Sequence, residues 1–177
     1  MRGSAPGSRI TSRFRTVVAK TVLLVCHGNT CRSVMAQALL EKMLAERGVS
    51  DAVRVRSGGV GGNARDGMIP SLDARIVLRE AGIHLAEDSI TSTDLRRHRE
   101  LVTGADLILT MTTEQKGLLA AVADTDGRPV FTLGEFAGGA GDIRDPMGHD
   151  EDRYRATRDE IHACLTRSMD RLLALLR

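Results

Sequence analysis

The segment Thr21-Val22-Leu23-Leu24-Val25 constrains this chain most: five residues without a charge, running straight into Cys26-His27-Gly28-Asn29-Thr30. A run that short and that apolar reads as a strand buried on both faces. The glycine-containing turn gives way to helical spacing, with Met35, Leu39, Leu40, Met43 and Leu44 recurring up to a stop at Gly48. Strand, short turn and helix make the first unit of an α/β fold, and the pattern repeats. Residues 53–57 read as a second strand leading into the glycine-rich stretch 58–62, and Pro70 opens a helix closed by Gly82. Residues 94–103 read as a third, shorter helix, 106–111 as a third strand, 113–122 as a helix and 129–132 as a fourth strand. The last helix is expected to begin near Asp152 and to carry Ile161, Leu165, Met169, Leu172 and Leu176 along one stripe. Such alternation predicts a four-stranded parallel sheet flanked by helices on both faces. Residues 134–149, Gly-rich and containing Asp145-Pro146, read as a long irregular loop, a common carrier of function.

A chain of 177 residues, 42% hydrophobic, suits one domain with a real core. Residues 1–19 read as a basic, disordered tail and 20–177 as the domain. The first twenty residues hold Arg2, Arg9, Arg13, Arg15 and Lys20 with no acid, leaving 20 basic against 23 acidic side chains, a net −3, for the rest. A basic body for nucleic acid is therefore not expected. No apolar run approaches the roughly 18–20 residues that a membrane span needs. With no secretory-type apolar segment near Met1, the expectation is a cytoplasmic protein without membrane or nucleic-acid partners. Three cysteines do not make a disulfide scaffold, and two of them, Cys26 and Cys31, lie in one loop.

That loop, Cys26-His27-Gly28-Asn29-Thr30-Cys31-Arg32-Ser33, joins a strand end to a helix start. Successive backbone N–H groups in such a turn form an anion-binding concavity, and the helix dipole adds positive potential. A thiol placed there is expected to react as a nucleophilic thiolate. Arg32 offers a planar fork to phosphate oxygens, Gly28 permits close approach or positive φ, and Asn29 can hold an unusual loop conformation. Ser33 can donate to the Cys26 sulfur. His27 reads as a solvent-facing position rather than an acid or base. Asp145 is the candidate general acid, held by the fixed φ of Pro146, with Asp142 as its competitor.

The loop resembles the signature of the low-molecular-weight protein tyrosine phosphatase family. The likeness continues through Met35-Ala36, Arg56-Ser57-Gly58-Gly59, the stretch 105–111 and Asp145-Pro146, so it covers about residues 20–176. It implies a flavodoxin-like phosphatase fold. It also implies attack on phosphorus by Cys26, phosphate binding by Arg32, proton transfer by Asp145, and hydrolysis of a phosphocysteine without metal or other cofactor. Ser57 is expected to support the loop by bonding Asn29 or the loop backbone. The implied partner is a phosphorylated protein or small phosphorylated substrate. Cys31 reads either as a buried loop residue or as a redox partner that traps oxidised Cys26 in a disulfide. An arsenate reductase using an external thiol, and a non-catalytic phosphate-binding module, are the alternative functions.

For substrate choice the residues singled out are Thr30, Gly61 and Met147. Thr30 is similar to bacterial relatives that act on phosphoarginine, as are the stretches 130–136 and 154–160. The family usually has Tyr or Phe where Met147 stands, proline where Val34 stands, and an aromatic wall in the loop where this chain has Val60-Gly61-Gly62-Asn63. A histidine of its supporting network aligns with Glu87. With three Phe and one Tyr, the chain is poorly supplied for stacking on a phenol ring.

Overall fold

The charge-free run becomes the strand that everything else packs around. In the computed structural model, which describes residues 18–177, β1 (Lys20–Cys26) runs parallel to β2 (Val53–Gly59) on one side and β3 (Leu107–Thr110) on the other. β4 (Val130–Thr132) pairs in parallel with β3, giving the order β2-β1-β3-β4. This is the four-stranded parallel sheet the alternation predicts. Val22, Leu24 and Cys26 face one hydrophobic layer, and Leu23 and Val25 face the other. Val22 through Val25 have no exposed surface at all, which is why the run carries no charge: an ion there would be stripped of water on both faces.

The first layer is built on α1 (Arg32–Glu46), α2 (Leu72–Glu80) and α6 (Glu151–Leu175), whose stripe Ile161, Leu165, Met169, Leu172 is fully buried. The second is smaller and uses α3 (Arg99–Thr103) and α4 (Thr113–Val122) through Val102 and Leu119, with Leu95 between sheet and helices. From β1 the chain crosses to β2 on one side and later returns to β3 on the other. The carboxyl end of β1 is therefore the point where the topology reverses, the place where open parallel sheets bind ligands. Among the described residues, no helix is long and apolar enough to cross a membrane.

Of three local readings, one falls outside the described residues and two differ. The tail expected over 1–19 lies, but for Val18 and Ala19, outside the described residues. The helix expected over 94–103 is helical only from Arg99; Asp94 instead makes a parallel bridge with Gly59, and Leu95 is drawn into the second layer. The stretch 134–149 is not wholly irregular, because Leu133–Phe136 forms the short helix α5, capped reciprocally by Thr132 and Glu135. Hydrogen bonds from Lys116 and the Thr132 amide hold the Glu135 carboxyl below its ordinary range.

Because Leu24 is enclosed at the centre of the sheet, Leu24→Ala should cost about 2–5 kcal/mol of stability, seen as a lower urea midpoint with unchanged m-value.

Candidate active site

The site begins with one backbone angle. Asn29 has φ +58°, the only left-handed non-glycine residue among those described. Of the two loop residues the sequence offered for unusual backbone, Asn29 adopts it, as a short polar side chain tolerates, and Gly28 is not left-handed. The side chain of Asn29 then ties three segments together. Its amide nitrogen donates to the hydroxyls of Ser33 (2.8 Å) and Ser57 (3.0 Å), and its carbonyl accepts the Thr93 N–H (2.8 Å). Ser57 in turn donates to Gln37 Oε1 at 2.7 Å. All of Asn29, Ser33, Ser57 and Gln37 are buried. Glu87, aligned by sequence with the family's supporting histidine, takes no part: it is exposed and paired with Arg75. Gln37 and the Thr93 amide support the loop instead, contributed by α1 and by a segment that only the fold brings near.

This framework fixes the sulfur of Cys26. Sγ lies 2.9 Å from Ser33 Oγ and accepts the Asn29 N–H at 3.2 Å. Since Ser33 Oγ already accepts from Asn29, its own proton is free to point at the sulfur. The N-terminus of α1 adds positive potential. Ser71, Thr112, Thr132 and Asp150 cap α2, α4, α5 and α6, whereas α1 is preceded by Cys31, which makes no side-chain cap, and has no acid in its first turn. Its first amides are thus left for an anion.

Arg32 is the first residue of α1 and is 4% exposed. One terminal nitrogen donates to the Ile143 carbonyl (2.9 Å) and the other to Asp145 Oδ2 (3.0 Å). Its Nε is buried without a partner among the described residues, an orphan donor that an incoming oxyanion would satisfy. Asp145 is partly exposed, and its other oxygen accepts the Met147 N–H at 3.2 Å. Asp142, the competing carboxylate, accepts from the backbone and hydroxyl of Thr113.

A cavity of about 880 Å³ opens over this end of the sheet, and His27, Arg32, Asp145, Thr112, Glu114 and Glu135 are among the residues that line it. His27 is not simply solvent-facing: its ring is half-buried against Gly61, where a Cβ would stand 2.3 Å from the imidazole. Gly61 thus acts by making room for a ring supplied from the phosphate loop. Met147 is 51% exposed beside Asp145. Cys31 points elsewhere. Its sulfur donates to Ser71 Oγ (3.3 Å) and lies 3.5 Å from the Tyr154 hydroxyl. Burial pushes the Tyr154 phenol above its ordinary value, and the contact with Cys31 adds to the shift.

The sequence model of the low molecular weight phosphotyrosine protein phosphatases matches residues 21–175. The chain belongs to that family. It is 38% identical over 152 residues to the protein-arginine-phosphatase of Geobacillus stearothermophilus, covering 85% of this chain and 95% of the relative. It is 35% identical over 140 residues to the low molecular weight protein-tyrosine-phosphatase PtpB of Staphylococcus haemolyticus, covering 79% and 91%. Among solved structures, a cysteine-to-serine mutant of the YwlE arginine phosphatase with a phosphorylated active site serine superposes with a TM-score of 0.75 at 36% identity, covering 86% of this chain and 95% of the other.

Asn29→Ala would leave buried partners unsatisfied, at roughly 1–3 kcal/mol, and would force alanine into a left-handed angle, at about 1–2 kcal/mol. Lower thermal stability together with weaker competitive inhibition by inorganic phosphate is the expected result.

Proposed function

We propose that the protein is a phosphatase acting on phosphorylated protein side chains, with phosphoarginine ahead of phosphotyrosine, through a phosphocysteine on Cys26. The observation that carries this reading is the pairing of a donor-ringed thiol with the orphan Nε of Arg32, at a helix start that no protein carboxylate caps. A relative bearing phosphate on its own active site serine supports a phosphoryl group carried on this residue.

In the first step the Cys26 thiolate attacks phosphorus and the P–N or P–O bond breaks. Asp145 gives its proton to the departing nitrogen or oxygen. Arg32 and the loop amides from His27 to Arg32 hold the equatorial oxygens, with an attraction that grows as charge develops on them. In the second step water attacks the phosphocysteine, Asp145 takes its proton, and Ser33 donates to the sulfur as the S–P bond breaks. Ser57 acts through Asn29 and is a positioning residue.

Phosphoarginine is favoured because none of the aromatic residues among those described lines the cavity except His27. Tyr154 is buried beneath Cys31, and Phe131 and Phe136 pack against each other and Arg171. A phenol ring would find few partners there; His27 fills the space over Gly61, and the exposed Met147 beside Asp145 can pack against the alkyl stem of an arginine. The same proposal puts the protein in the cytoplasm, consistent with three free thiols and phosphorylated proteins as partners.

Side-by-side turnover of phosphoarginine and phosphotyrosine peptides should show a higher kcat/KM for the former and none for either with Cys26→Ser. Native-level turnover by that variant would overturn the mechanism, and a preference for phosphotyrosine would overturn the substrate order.

Cys31 completes the proposal as a redox partner. Peroxide would oxidise Cys26 to a sulfenic acid, and the Cys31 thiol would displace water from it to form a disulfide. Bridging requires the Cys31 sulfur to leave Ser71 and Tyr154. Activity lost to peroxide should return with dithiothreitol in the native protein and fail to return in Cys31→Ser; irreversible loss in the native protein would sink the idea.

A further inference from the structure

The general acid must reach over bound phosphate from a loop, and a loop that carries a reacting proton needs an anchor. Three residues before Asp145, Asp142 supplies one. Its Oδ1 accepts both the backbone N–H (2.9 Å) and the hydroxyl (3.1 Å) of Thr113, the first residue of α4. The start of α4 is already organised by its own capping box, in which Thr112 accepts from Gln115 N and the Gln115 side chain accepts from Thr112 N. That box leaves the Thr113 amide over, and Asp142 takes it from 29 residues away. The next residue is held on its other side: Ile143 N donates to the Met111 carbonyl, and Ile143 O accepts from Arg32, each at 2.9 Å. The approach is close enough that residue 134 must be glycine, since a Cβ there would stand 2.4 Å from the Gly141 carbonyl oxygen.

We infer that Asp142 is a positioning residue for catalysis, fastening the acid loop to the N-terminus of α4 so that Asp145 is aimed at the leaving atom. This rests on the reading of Asp145 as the proton donor. A carboxylate that merely capped α4 would affect stability alone. One that aims the acid must change how the rate depends on the leaving group.

The test is kcat/KM, which reports the phosphorylation of cysteine, across aryl phosphates from 2,4-dinitrophenyl to unsubstituted phenyl. Asp142→Ala should lower phenyl phosphate turnover about ten-fold or more while dinitrophenyl phosphate falls less than about three-fold, because only the poor leaving group needs the proton. Asp142→Asn should stay within about three-fold throughout, since its amide oxygen accepts the same two donors. Thr113→Ala, which removes the hydroxyl that Asp142 accepts, should steepen the series in the same direction by a smaller factor and serves if Asp142→Ala folds poorly. In an Asp145→Asn background, Asp142→Ala should add no further steepening. A uniform loss across the series, or no loss, overturns the inference while leaving Asp145 as the acid. If Asp145→Asn itself leaves the dependence on the leaving group unchanged, the acid assignment fails and this inference fails with it.

Discussion

Asn29 holds the site together. Its left-handed backbone turns the loop so that its own N–H meets the Cys26 sulfur, and its side chain binds Ser33, Ser57 and Thr93 at once. Those three partners come from the start of α1, the end of β2 and the segment beside the Gly59–Asp94 bridge. Moving any one of these would disturb the nucleophile, because a buried amide with all its bonds made has no low-energy alternative. The two hydrophobic layers on either side of β1 determine where those segments can be, so the packing of the sheet reaches the sulfur through one side chain.

Arg32 makes the second connection. Its two terminal nitrogens hold the acid loop while its Nε remains for an oxyanion. One guanidinium therefore ties the segment carrying Asp145 to the start of α1, beside the loop that carries Cys26. Such double use suits arginine, whose fork is rigid, and would fail with lysine, whose single ammonium could serve only one of these places.

Much of this was legible in the sequence, for local reasons. The charge-free run of β1 and the glycine turn after it are short-range signals, and the helix expected over 113–122 matches α4 because its caps, Thr112 and Gln115, lie next to it in the chain. What escaped depended on distance or on size. The four-residue α5 is too short to show a stripe, and its one available sign was the pair Thr132 and Glu135. Of the supporting network only Ser57 was legible; Gln37 and Thr93 meet the loop only through the fold, and Glu87, which stands where the family has a histidine, lies apart from it. His27 read as solvent-facing, since nothing local says that Gly61 would leave room for its ring. The loop, with Ser33 and Ser57 as supports, could be named in advance; Gln37, Thr93 and the packing of His27 on Gly61 could not.

The supports of the nucleophile have a further property. Asn29, Ser33, Ser57, Gln37 and the Thr93 amide are neutral groups joined over hydrogen-bond distances inside the protein. Dissolved ions screen charges separated through water and have little hold on such contacts. The cavity is lined by Arg32 and Arg144 together with Glu114, Glu135, Asp142 and Asp145, and the forces that these charges exert on an arriving phosphate dianion are open to screening. Ionic strength should therefore govern how often a substrate arrives and leave the shape of the place it arrives at unchanged. Salt would thus adjust capture while the geometry around the sulfur stays fixed.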